Sequence, residues 1–352
     1  YKRQYLENPL GIDCENPRFT WQLRGEEKGM RQQACKLFVG TDSVDVSNGT
    51  GNKWESGTIH SETIPAIYDG PALDALTRYY WAVKIKDAKG SWTALSDVSW
   101  FETGLMGQDK WKGDWITDTH DYHVKPAALF RKSFQVQNQP ESARIYMAAG
   151  GLYELSLNGE KVGDHVLDPM FTRYDRRNLY VTYNITEEIA KGENVLGVHL
   201  GNGWYNHHPN TAWYFDKAPW RARPKFCLDL RIRYADGTEE VIVTDKSWKT
   251  STGPVISNNI YTGEHYDARL CRGDWDRKGF DDAGWENAIP SGAPSRKLVS
   301  QSLHPVRDVE VLAARAMEKL VERTDLVDFG RDITGTRQFA VSGPEGTRVH
   351  LV

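Results

Sequence analysis

Apolar and polar residues alternate in short runs along most of this chain. ACKLFVG at 34–40, RYYWAVKIKDAKG at 78–90, ARIYMAA at 143–149, LYELSLNG at 152–159 and LDLRIRYADGTEEVIVTD at 228–245 all carry the pattern. A period of two belongs to a strand with one face buried, so these runs predict half-buried β-strands. Asn158-Gly159 and Asp236-Gly237 stand at breaks between such runs. They supply the positive φ that tight hairpin turns need. The fold class is mainly β.

Helical patterning is sparse. NITEEIAKG at 184–192 offers Thr186 as a cap, two glutamates in the first turn and Gly192 as a stop, which predicts a one- or two-turn connector. VEVLAARAMEKLVER at 309–323 suits a helix and a strand equally, and both stay open. Punctuation divides the chain into three. Residues 1–105 close on WFETG and have the size and rhythm of a seven-stranded sandwich. Residues 110–300 form a larger unit between the polar segments GQDKWKGD and PSGAPSRK, and residues 305–352 begin a third domain that is not finished. No internal repeat of about 20–50 residues is visible, which argues against a solenoid or propeller.

Composition narrows the partners. The 44 basic and 48 acidic residues leave a formal net charge of −4, with no footprint for nucleic acid or a membrane surface, so a neutral partner fits better. Thirteen tryptophans among 352 residues serve either cores or neutral-ligand surfaces. Cys14, Cys35, Cys227 and Cys271 lack metal spacing and read as mostly buried thiols. No run of eighteen apolar residues occurs. The chain opens on Tyr1 and stops at Val352 inside an apparent strand, which leaves room for a leader before it and a continuation after it.

The densest chemistry is GNGWYNHHPN at 201–210. Adjacent histidines point to opposite sides of a strand, whereas zinc sites favour spacings such as HxxxH, so a His-based zinc site is set aside. Calcium takes oxygens instead, and Asn202, Asn206, Asn210 and carbonyls near Pro209 could supply them with Glu154. No nucleophile elbow, P-loop or dinucleotide fingerprint appears. Glu264 and Asp267 of GEHYDAR are close enough in sequence to suggest a carboxylate pair. Glycoside hydrolysis needs two carboxyls about 5–10 Å apart across a bond, and a structural role beside Arg269 is the favoured reading. TAWYFDKAPWRAR at 211–223 brings Trp213, Tyr214, Phe215 and Trp220 together with Arg221 and Arg223. Such rings either stack on a sugar or pack the loop down, and packing is favoured on composition.

Longer motifs add a resemblance. YLENPLGIDCENPRFTWQL at 5–23, YYWAVKIKDAKG, FETG, the stretch from GGLYELSLNG to GNGWY at 150–205, GEHYDAR and LVDFGRDITGTRQFAVSG at 326–343 resemble, in order, the opening of bacterial α-L-rhamnosidases. The last motif departs from the family's DFGQN pattern, with Arg331 and Asp332 after Gly330. The resemblance implies a fibronectin-like β-sandwich over 1–105, a jelly-roll, carbohydrate-binding-type β-sandwich over 110–300, and the start of a third β-sandwich domain over 305–352. It implies an inverting hydrolase whose general acid and base lie on an (α/α)6 barrel after these domains. No catalytic residue is then expected in this chain, residues 1–352 alone are expected to be inactive, and no cofactor is expected for catalysis.

Within the jelly roll the resemblance implies a polar centre at Glu154 and Asn202, with calcium as the candidate ion. Trp204 and Tyr205 become neighbours or stacking groups, Arg177 and Tyr180 a rim, and Asp168, Thr172 and Tyr174 scaffold. The implied partners are rhamnose-containing glycans or glycosides and the C-terminal catalytic domain of the same polypeptide, with no nucleic acid and no membrane, in a periplasmic or secreted setting. A stand-alone carbohydrate-binding protein, or scaffold domains without a ligand, are the rival readings.

Overall fold

The computed structural model describes residues 6–24, 30–211, 213–322, 324–336, 338, 340–344 and 346–351. It divides into two compact units, Tyr1–Val306 and Arg307–Val352.

The first unit opens with seven strands: β1 (Arg18–Phe19), β2 (Gln32–Gly40), β3 (Trp54–Glu55), β4 (Ile59–His60), β5 (Ala66–Ile67), β6 (Arg78–Asp87) and β7 (Ser99–Glu102). One layer has the order β3-β2-β6-β7 with β4 also on β2, and the other is the pair β1-β5. The alternation in ACKLFVG does what its period requires: Cys35, Leu37 and Val39 turn inward onto Tyr79, Val83 and Phe101. A short helix, Ser43–Ser47, is capped by the Asp42 carboxylate, which accepts from the Val44 and Asp45 amides.

Larger layers follow, built from β8 (Ile116–Thr117), β9 (Ala128–Val136), β10 (Ser142–Gly150), β11 (Leu152–Leu157), β12 (Glu160–Lys161), β13 (His165–Val166), β14 (Asn178–Asn184), β15 (Gly192–Gly201), β16 (Lys225–Arg233), β17 (Glu239–Val243), β18 (Lys249–Thr252), β19 (Val255–Asn259), β20 (Gly263–Tyr266), β21 (Glu286–Asn287), β22 (Ile289–Pro290) and β23 (Leu298–Ser300). One sheet runs β22-β8-β16-β10-β14-β23 with β17 on β16, and the other runs β12-β11-β15-β9-β18-β21. Their inner faces enclose a continuous apolar core in which Phe130, Phe226 and Trp248 meet edge to face at 5.0 and 5.4 Å. The hairpin β19-β20 stands apart as a third small sheet.

Turn chemistry explains the hairpins. Asn158 and Gly159 both hold positive φ, 54° and 85°, between β11 and β12. At the β16–β17 turn only Gly237 does, and the Gly237 amide reaches back to the Tyr234 carbonyl.

One expectation needs correcting. Residues 184–192 form a single hydrogen-bonded turn in place of a helix, closed by Ile189 N–H donating to the Ile185 carbonyl. Thr186 does not cap a helix: its hydroxyl oxygen accepts from the Ala143 amide and Arg144, tying the turn to β10. Burial of Ile185 and Ile189 in the core outweighs helix propensity here.

A polar junction joins the two sandwiches. Asp13 Oδ1 accepts from the Tyr180 hydroxyl at 2.5 Å and the Met106 amide at 2.9 Å, while Oδ2 accepts from the Ser300 amide at 2.9 Å. The Tyr180 oxygen in turn accepts from the Leu105 amide at 3.0 Å. Beside it Arg144 holds Glu102 through Nε and Nη2, at 2.8 and 3.1 Å.

The second unit contains an antiparallel hairpin of strands Ala316–Val321 and Thr324–Asp328. The open choice over 309–323 therefore resolves to strand at 316–321, with Arg323 outside the described residues, as are Arg337 and Phe339 of the 326–343 motif.

Candidate functional site

The loop after β15 is tied down by amides. Gly203 starts its turn at φ +50°, and a Cβ there would lie 2.8 Å from Leu152 Cγ, so only glycine fits without displacement. Asn202, 1% exposed, donates from its backbone to Asn258 Oδ1 at 2.7 Å and from Nδ2 to the Lys125 carbonyl at 3.1 Å. Its Oδ1 accepts from Asn206 Nδ2 at 3.0 Å, and Asn206 Oδ1 accepts from Arg221 Nε at 3.2 Å. Arg221 also reaches His208 Nδ1 at 3.0 Å and lies over the Tyr122 ring. The result is a ladder of hydrogen-bonded amides and a guanidinium running from β19 into the loop, with His208 Nε2 lacking a partner among the described residues.

Aromatic rings sit on this ladder. Trp204 meets Phe215 at 5.3 Å, Tyr261 at 5.5 Å and Phe171 at 5.9 Å, all edge to face. Phe171 and Tyr261 are 45% and 50% exposed, Trp204 is half-buried, and Trp220 donates to the Trp204 carbonyl. His207 is fully buried between Trp204 and Tyr261, with Nδ1 3.0 Å from Asn259 Nδ2. Rings that are partly exposed above a rigid polar base can stack on the apolar face of a neutral polyol.

Burial dominates the titrations. It pushes the His207 imidazole down, and with the Arg221 charge it pushes His208 down to about 4. Burial and then the neighbouring Glu154 carboxylate raise Glu264. Asp267 is held down to about 2 by Arg269, whose Nη2 lies 2.6 Å from Oδ2, so this acid serves a local ion pair.

The sequence-derived site residues fall in several places. Trp204 belongs to the ring cluster. Tyr205 lies beneath it, 2% exposed, meeting Tyr174 at 5.1 Å, with its ring where a side chain at Gly150 would collide. Asn202 is the base of the amide ladder. Glu154 is exposed on β11, opposite His199 on β15 and 3.7 Å from Lys161 Nζ. Arg177 is exposed just before β14, and Tyr180 is buried at the junction of the two sandwiches. Asp168 accepts from Tyr183 and Gln301 and Thr172 donates to the Arg177 carbonyl, which are scaffold contacts. Phe171 and Tyr261 were missed. Phe171 stands in LDPMFTRY among the scaffold residues Asp168, Thr172 and Tyr174, and Tyr261 follows an asparagine-rich strand end; neither motif signals a surface ring. The cysteines are all free: Cys35 and Cys227 are buried, as expected of mostly buried thiols, whereas Cys14 is half-buried and Cys271 is exposed. Among the described residues no group of three or more His, Cys, Asp or Glu side chains is placed to hold a metal ion.

Two family profiles match in tandem: a Rha78A-like N-terminal immunoglobulin domain over residues 1–107 and an α-L-rhamnosidase N-terminal domain over 138–310. The chain matches the N-terminal domains of the bacterial α-L-rhamnosidase family. An α-L-rhamnosidase of Formosa agariphila is 33% identical over 372 residues, covering 98% of this chain and 39% of that protein. The solved α-L-rhamnosidase of Dictyoglumus thermophilum is 36% identical with a TM-score of 0.85, covering 94% of this chain and 38% of that one. The Streptomyces avermitilis α-L-rhamnosidase solved with L-rhamnose shares the fold, with a TM-score of 0.85 at 22% identity, over 93% of this chain and 48% of its own. This chain thus spans less than half the length of these rhamnosidases. Among its described residues there is one α-helix of five residues and no (α/α)6 barrel.

Proposed function

We propose that this chain is the N-terminal, non-catalytic part of an α-L-rhamnosidase, and that its larger, jelly-roll-type sandwich binds rhamnose-containing glycans while positioning a catalytic domain. The observation that carries the binding reading is the wall of Phe171, Trp204 and Tyr261 above the Asn202–Asn206–Arg221 ladder. Rings supply a stacking face, and the ladder holds the loop beneath them through hydrogen bonds, with the Arg221 guanidinium donating to Asn206 Oδ1 and the Asp216 carbonyl. A fibronectin-like first sandwich, locked to the second through Asp13 and Glu102, would keep that face at a set angle to whatever follows.

Hydrolysis is assigned to a barrel outside this chain, so residues 1–352 should release no rhamnose from a p-nitrophenyl rhamnoside. A calcium ion takes about six to eight oxygens. At Glu154 and Asn202 it would have to displace Lys161 and the Asn206 amide that now engage them. Calorimetry of the chain with L-rhamnose, in calcium and again in chelator, tests the reading. Heat that disappears in Trp204→Ala supports it; no heat in either buffer leaves the sandwich as a scaffold. Heat only in calcium would show that the ion reorganises the ladder.

A further inference from the structure

The formal charge of −4 is not spread evenly along the chain. Residues 171–178 and 291–298 carry five cations, Arg173, Arg176, Arg177, Arg296 and Lys297, against one carboxylate, Asp175. The fold brings these two segments together. β14 and β23 pair in parallel with Asn178 opposite Leu298, the Asn178 amide donates to the Lys297 carbonyl at 2.8 Å, and Asn178 Nδ2 donates to Ser295 Oγ at 2.8 Å. Arg176 and Arg177 therefore lead into β14 beside Arg296 and Lys297 leading into β23.

Little neutralises this edge. Asp175 is held by Arg173, with Nε 3.0 Å from Oδ1, and Asp13, which reaches β23 at Ser300, is engaged by Tyr180 and two backbone amides. Arg176, Arg177, Arg296 and Lys297 are exposed, and their side chains make no hydrogen bond or ion pair with the described residues. Like charges grouped without a counter-charge repel one another and draw an anion. The patch also adjoins the ring wall. The turn that carries Arg176 and Arg177 begins directly after Phe171, and it is closed by the Thr172 hydroxyl donating to the Arg177 carbonyl at 2.7 Å and the Arg177 amide donating to the Arg173 carbonyl at 3.1 Å. Phe171 meets Trp204 at 5.9 Å. One short segment thus joins a stacking ring to a group of cations. Guanidinium forks match the paired oxygens of a carboxylate or sulfate, and the rings match a pyranose face. The net negative charge of the whole chain disfavours a long uniform polyanion such as nucleic acid, whereas a short acidic glycan meets the patch alone.

We infer that this cationic edge is a subsite for acidic glycans, in which the carboxylate or sulfate of one sugar lies on Arg176, Arg177, Arg296 and Lys297 while a neighbouring sugar reaches the Phe171–Trp204 wall. The inference rests on the saccharide reading of that wall and adds a negative charge to the class of ligand.

The test is calorimetry of the whole chain with a galacturonate oligosaccharide, its neutral methyl ester, a sulfated galactose oligosaccharide and a DNA duplex of similar charge. At least one acidic sugar should bind about tenfold more tightly than the ester, by a margin that shrinks as salt is raised. Arg176→Gln with Arg177→Gln should weaken that binding about five- to tenfold. Arg296→Gln with Lys297→Gln should do the same and leave the heat of L-rhamnose binding unchanged. All four positions are exposed, so the variants keep the fold. Equal affinity for the acid and its ester with no binding of the sulfated sugar overturns the inference, as does DNA binding as tight as that of the acidic sugars. The two readings fail separately. Acidic-sugar binding that needs the arginines and survives Trp204→Ala, in a chain that gives no heat with L-rhamnose, keeps the cationic edge and removes the wall. L-rhamnose heat that disappears in Trp204→Ala, with no preference for either acidic sugar over the ester, keeps the wall and removes the edge.

Discussion

Tyr180→Phe separates a junction residue from a ligand-binding one. The Tyr180 hydroxyl donates to Asp13 at 2.5 Å and accepts from the Leu105 amide at 3.0 Å, in a residue 1% exposed. Phenylalanine keeps the ring contacts with Trp111 and Tyr146 at 6.0 and 6.1 Å. It removes a hydrogen bond to a carboxylate, about 1.5–3 kcal/mol, and strands a buried N–H at about 1–3 kcal/mol. The two losses share one atom and the site relaxes, so about 3 kcal/mol is expected for the pair. For a unit of this size that corresponds to a fall of about 5 °C in Tm. Urea and thermal unfolding of the chain, followed by tryptophan fluorescence, measure it, and L-rhamnose calorimetry on the same variant should match the parent within error. A stability change below about 1 kcal/mol would refute the junction geometry. Lost sugar affinity at unchanged stability would return Tyr180 to a ligand rim.

Gly203→Ala forces a Cβ to 2.8 Å from Leu152 at positive φ. It should cost about 1–2 kcal/mol and weaken any sugar binding at Trp204, read from the urea midpoint and calorimetry. His208, pushed down to about 4 in the fold, is protonated first in the unfolded chain, whose imidazole titrates near pH 6.5. Its contribution is therefore complete above about pH 6.5 and is lost as pH falls toward 4, with His207 acting in the same direction. The urea midpoint should fall over that window and flatten in His208→Gln; a midpoint that rises on acidification would contradict this. A thiol reagent at pH 8 should modify exposed Cys271 first, with buried Cys35 and Cys227, whose thiols burial pushes up, reacting only on unfolding.

Much of the fold was legible because period-two patterning is a local property. ACKLFVG and ARIYMAA each lie within a strand, LYELSL forms a third that ends at the Asn158-Gly159 turn, and residues 1–105 contain seven strands. NITEEIAKG misled because capping residues mark turns as readily as helices, and Ile185 and Ile189 are held by the core. The site was harder for a reason that alternation itself explains. Period two says that Tyr180 and Thr182 face away from Val181, but not whether their side of β14 meets solvent, a ligand or a second sandwich. Here the other sandwich covers it: a Cβ on Gly104 would sit 2.0 Å from the Tyr180 oxygen, and one on Gly11 would sit 1.9 Å from Thr182 Oγ1. Those two glycines, 93 residues apart in GID and FETG, let the N-terminal segment and the interdomain link close on β14 together. A motif that resembles a sugar-binding domain thus contains residues for two faces, one toward the rings around Trp204 and one toward the neighbouring sandwich. What assigns Tyr180 to the second is the small size of residues that lie far from it in sequence.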